Sequence, residues 1–134
     1  MTTVTNQAEF DVAAKAGETI AIYNDATYVV TEGKPTINTW DNSSPYVKTY
    51  GYSSPVIATY RNSSPRIATW DYSSPRIDTF GNSSPIIATY GNSSPTIKTH
   101  GKSTPVIDTY GNNSPRIATY GNSSSHIFDH RSKK

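Results

Sequence analysis

The residues best equipped for chemistry are three histidines, one Gly-Lys-Ser triplet and a scattered set of cations. His126 and His130 lie four apart with Asp129 between them, a donor set that could hold zinc. That spacing aligns two imidazoles on a helix, whereas the surrounding residues have the pattern of a strand, so a frayed final repeat is the preferred reading. Gly101-Lys102-Ser103 has the ending of a phosphate-binding loop, but the loop's first glycine would fall at Thr96 and no helical pattern follows. No serine has a histidine and a carboxylate spaced to form a catalytic triad. The absence of cysteine removes thiolate nucleophiles, thiolate metal sites and disulfides together. The chain therefore reads as non-enzymatic, with no cofactor.

The cations remain as binding candidates. Arg61, Arg66, Arg76 and Arg116, with Lys48 and Lys98, recur at related positions and are taken as partner-binding candidates. Lys102 falls within the same set. Such residues could follow a phosphate backbone. Asp71, Asp78 and Asp108 are interspersed among them, which also fits an ordinary mixed surface. The net charge of +2 is too small to mark a nucleic-acid binder by itself, and part of it sits in the tail Arg131-Ser132-Lys133-Lys134.

The element that must position these side chains is a tandem repeat of ten residues. From Pro35 onward the chain repeats Pro-x-Ile-x-Thr-aromatic-Gly-Asn-Ser-Ser, and only the unit beginning at Ser125 is degenerate. All nine prolines fall in the first column and six of the eight glycines in the seventh, an order that a repeat architecture explains. This periodicity outweighs a polar composition (34% hydrophobic, 16% charged) that by itself leans toward disorder.

Side chains alternate faces along a strand. The third column is Ile except at Val47, and the fifth is Thr from Thr39 to Thr119. These two therefore share a face, predicted to be the inner one. Columns two and four vary freely and must face outward. The sixth column is aromatic or His from Trp40 to His130. It either lines the surface as a stacking ladder or packs at a corner of the coil, and the corner is preferred. Gly, Asn, Ser and Pro complete a turn, with Gly permitting positive φ and Pro fixing its own. Asp41 and Asp71 suit the glycine column, whereas Arg61 has no evident reason to be there. Stacked Ser and Asn columns are expected to form ladders. The recurring Asn-Ser-Ser and Ser-Pro sequences are explained by this turn chemistry.

The fold predicted is an all-β parallel solenoid. A coil of twenty residues, with Ile meeting Ile across the middle, is favoured over a coil of ten. The shorter coil would stack Arg66 directly on Arg76, about 4.8 Å apart.

Residues 1–34 are off-repeat and read as an N-terminal cap, followed by the solenoid at 35–128 and a basic tail at 129–134. Asn6 and Glu9 have capping-box spacing, which predicts a short helix over 7–15 ending at Gly17. Strands are predicted at 19–23 and 26–30. The helix is expected to plug the open coil, and Phe128 to cover the other end less completely. No secretory signal or apolar run of membrane-spanning length is present in this sequence.

The run Tyr90-Gly91-Asn92-Ser93-Ser94 and its copies resemble tandem-repeat β-solenoid proteins of bacteria and their phages. The resemblance covers residues 35–128, although the proline column departs from the usual form. It implies a solenoid of mobile-element origin, cytoplasmic or associated with a virion, and it carries no activity. The functional expectation is a rigid scaffold presenting its variable columns to a macromolecule, foremost a protein, as a phage inhibitor or structural component. Two alternatives are an ice-binding surface built from Thr and Ser ladders, and nucleic-acid binding through the Arg columns. A homodimer through the less well capped C-terminal end is a further expectation, and no membrane partner is expected.

Overall fold

A computed structural model describes residues 2–111, 115–122 and 126–129. Each repeat contributes one four-residue strand from its second to its fifth column, where β-branched residues favour the extended backbone. The elements are β1 (Thr2–Val4), α1 (Gln7–Lys15), β2 (Thr19–Ile22), β3 (Thr27–Val30), β4 (Thr36–Thr39), β5 (Tyr46–Thr49), β6 (Val56–Thr59), β7 (Arg66–Thr69), β8 (Arg76–Thr79), β9 (Ile86–Thr89), β10 (Thr96–Thr99), β11 (Val106–Thr109), β12 (Arg116–Thr119) and β13 (His126–Asp129).

From β2 onward, successive strands do not pair with each other. They alternate between a seven-stranded sheet, β1-β2-β4-β6-β8-β10-β12, and a six-stranded sheet, β13-β11-β9-β7-β5-β3. All pairs are parallel; from β4 onward they are in register across twenty residues, as in Ile37 with Ile57 and Ile67 with Ile87, whereas β1, β2 and β3 pair at shorter offsets, as in Ile20 with Ile37. One coil therefore holds two repeats, as the sequence favoured. Arg66 and Arg76 accordingly lie in different sheets.

The third-column side chains fill the space between the sheets. Val47 and the third-column isoleucines from Ile37 to Ile107 are 0–1% exposed; Ile20 and Tyr28 extend the same column toward the N-terminus, and Ile22 stands in register with Thr39 of the fifth. Burying one such side chain contributes about 2 kcal/mol.

The turn after each strand requires a left-handed residue in the seventh column. At Gly81 (φ +66°) an added Cβ would lie 3.2 Å from the backbone nitrogen of Arg61 in the preceding coil, so the position is both conformationally and sterically restricted. Arg61 adopts the same conformation at φ 58°, as do Asp41 and Asp71. Its side chain reaches across one coil to Asp41 at 3.4 Å, a pairing too exposed to offset much strain.

The N-terminal end is closed in three ways. Helix α1 spans the predicted residues, and the Asn6 side chain accepts from the Glu9 N–H at 2.9 Å. Glu9 in turn accepts from the N–H and hydroxyl of Thr5, and these hydrogen bonds hold its carboxyl below the usual carboxylate range. Phe10 and Ala13 then pack over the opening, with Phe10 tilted against Tyr28 at 5.4 Å. Finally, Gln7 closes the edge of the six-stranded sheet. Its amide accepts from the Val29 N–H at 2.7 Å and donates to the Val29 carbonyl at 3.1 Å, as a neighbouring strand would.

Phe128 does not cover the opposite end. It stands in the fourth column beside Asp108, on the outward face, and is 51% exposed, as is Ile127.

Candidate partner-binding surfaces

The outward surfaces follow from strand alternation. Columns two, four and six project from each sheet, while columns three and five point inward. The inward Thr column is enclosed: threonines 39 through 99 are 0% exposed and Thr109 is 2% exposed. Each hydroxyl has a defined task. Thr39, Thr49, Thr59, Thr69 and Thr79 donate to Ser63, Ser73, Ser83, Ser93 and Ser103 in the next coil at 2.7–3.0 Å. Ser53, Ser73 and Ser103 donate onward to the carbonyls of Tyr50, Trp70 and His100 at 2.8–2.9 Å.

This corrects two expectations. The ladder joins Thr of one coil to Ser of the next, while the described Asn side chains in the eighth column from Asn42 onward stand exposed. The fifth-column threonines from Thr39 to Thr109 do not form an ice-binding plane, because their hydroxyls face the interior. Gly101-Lys102-Ser103 is likewise an ordinary turn, with Ser103 buried and taking the Thr79 hydrogen bond.

The aromatic column is half-buried and stacked along both sheets. On the seven-stranded side, Trp40, Tyr60, Phe80, His100 and Tyr120 stack at 4.3–5.2 Å with interplanar angles of 7–11°. On the six-stranded side, Tyr50, Trp70, Tyr90 and Tyr110 stack at 4.9–5.1 Å. Ring faces within each ladder are occupied by neighbouring rings, so the ladders chiefly present edges. They function first as packing. Burial, then the charges of Tyr110, Tyr46 and Asp108, raise the Tyr90 phenol above its usual pKa, against a smaller opposing effect from Arg66. Tyr52 and Tyr72 form a separate exposed stack at 5.2 Å. Their twenty-residue spacing in the eighth column was the sequence signal for it, and reading columns rather than coils missed it.

The six basic candidates do not form one track. Arg76, Lys98 and Arg116 share the seven-stranded face, where Asp78 lies 3.6 Å from Arg76. Lys48 and Arg66 share the six-stranded face, both over the Tyr46 ring at 4.8 and 5.4 Å. Arg61 sits in a turn. The two faces differ in character. Thr36, Asn38, Arg76, Asp78, Thr96, Lys98 and Arg116, with Val56, Ala58 and Ala118 among them, make the first mixed and mainly polar. The second carries Ala68, Ile86, Ala88 and Val106 between its charges. Of the suggested metal ligands, His126 is exposed, whereas His130 and the Asp129 side chain lie outside the described residues.

The described helix is too short to cross a membrane. Searches found no matching protein family, no matching curated protein and no matching solved structure. The geometry defines a rigid β-solenoid with internal Thr/Ser ladders, an architecture consistent with a structural or binding protein.

Proposed function

We propose that this chain is a non-enzymatic display scaffold whose outward second and fourth columns recognise a macromolecular partner, foremost a protein. One observation carries the reading. The repeating residues are spent on enclosed packing and hydrogen bonding, whereas the variation falls in columns that reach solvent. Solenoids suit this role because each coil depends only on its neighbours, which leaves outer positions free to change. The resemblance of the turn sequence adds a setting, an inhibitor or structural component of a bacterial phage, in the host cytoplasm or on a virion. Nucleic-acid binding is the second reading, favoured by Arg76, Lys98 and Arg116 on one face.

The test is capture from bacterial lysate, with and without nuclease, by the wild type and by two face variants. One variant carries Val56→Glu and Thr96→Glu, the other Tyr46→Ala and Ile86→Glu. A protein retained after nuclease and lost with one variant supports the proposal, provided circular dichroism shows that variant folded. Loss on nuclease treatment moves the function to nucleic acid. Capture of nothing, or capture indifferent to both variants, overturns the reading.

A further inference from the structure

The outer face of the six-stranded sheet carries Arg66 and Asp108 on strands placed symmetrically about β9. Along the fourth column it runs Lys48, Ala68, Ala88, Asp108, Phe128; along the second, Tyr46, Arg66, Ile86, Val106, His126. Cations therefore lie toward the N-terminal side of β9 and a carboxylate toward the C-terminal side. Between them is an apolar band. Ile86 stands at its centre and is 42% exposed, while Ala68 sits in a trough and is only 3% exposed.

We propose that this face pairs with the same face of a second copy, antiparallel, about a two-fold axis running along β9. The pairing does not depend on the partner-display function proposed above. Rotation about that axis places Ile86 on Ile86 of the second copy, and β7 opposite β11. Arg66 then faces the strand carrying Asp108, two residues along, a separation of roughly 7 Å that an arginine can span. The contact is made twice by symmetry. The other face-to-face arrangement, with the two-fold along the solenoid, sets each strand against its own copy. With the axis through the middle of the strands, Arg66 would lie two residues from Arg66 of the second copy and Asp108 two residues from Asp108, so like charges select the antiparallel form.

The seven-stranded face lacks this property. Its one outward carboxylate among the described strands, Asp78, already lies 3.6 Å from Arg76 of the same copy, and Thr36, Asn38, Val56 and Ala58 on β4 and β6 offer no other to meet Lys98 and Arg116. The area sets the strength. Five strands by about five residues give roughly 400 Å² per copy on strand and sheet spacings. That is about half of a standard interface, so the dimer is weak and reversible.

Sedimentation velocity of the purified protein from about 10 µM to about 1 mM tests this, the range in which an interface of this size associates. The wild type is expected to shift from monomer to dimer across that range. Ile86→Lys should abolish the shift by placing two ammonium groups on the axis. Arg66→Asp and Asp108→Arg should each weaken association about tenfold or more, and the double exchange should restore it. Val56→Lys on the opposite face should leave it unchanged, and circular dichroism checks that every variant is folded. The proposal is overturned by a wild type that stays monomeric to the highest concentration, by a dimer indifferent to Ile86→Lys, by a double exchange that fails to recover, or by a dimer that Val56→Lys dissolves.

Discussion

Removing either hydroxyl of an internal Thr–Ser pair deletes the same hydrogen bond, yet the two deletions should differ in cost. Thr49 donates to Ser73 at 2.9 Å, and Ser73 donates to the Trp70 carbonyl at 2.8 Å, with both residues 0% exposed. In Thr49→Val the donor itself disappears and is replaced by a methyl of nearly the same volume. Ser73 keeps its own donation, so the loss is that of one ordinary net hydrogen bond, about 1 kcal/mol. In Ser73→Ala the Thr49 hydroxyl remains, buried and without its acceptor. The Trp70 carbonyl still receives the Ser73 N–H at 3.2 Å, so the orphaned donor and a small void dominate. Their combined cost is about 2–3 kcal/mol. Adding Thr49→Val to Ser73→Ala should recover part of that loss, because the stranded hydroxyl is gone. Urea denaturation followed by circular dichroism supplies the four stabilities of a double-mutant cycle. If Thr49→Val costs as much as Ser73→Ala, or if the two costs simply add, the ladder does not work through donor satisfaction and the reasoning fails.

Two further outcomes follow from the turns and the cap. Arg61→Gly should stabilise the protein by about 0.5–1 kcal/mol, because relief of left-handed strain exceeds glycine's added unfolded-state entropy; an unchanged or lower urea midpoint would contradict this. Gln7→Ala should cost about 2 kcal/mol for its two bonds to Val29, and light scattering should reveal concentration-dependent aggregation through the uncovered β3 edge. A variant that is equally stable and monodisperse would show that Gln7 does not guard that edge.

Much of this protein was legible in its sequence because one rule repeats. Period-two alternation within a ten-residue unit fixed Ile and Thr as inward, columns two and four as outward, and glycine as the turn. Asn6 and Glu9, followed by Phe10 and Ala13, were enough to place α1 over 7–15. Tertiary structure was needed wherever an outcome depended on what lies beside a residue rather than before or after it. Serine in the ninth column looked like turn chemistry. Only the stacking of coils twenty residues apart brings it under the preceding threonine, and that same contact encloses the hydroxyls an ice-binding surface would need. Column six lies on the outward parity, yet its rings are half-buried because each covers the next. The basic residues recur along one chain, but the alternation of strands between two sheets divides them between opposite faces. Phe128 resembled an end plug by position, while register sets it outward beside Asp108. The local pattern determines which way a side chain points. Coil stacking decides what it meets there, since those neighbours are brought together by closure of the whole turn.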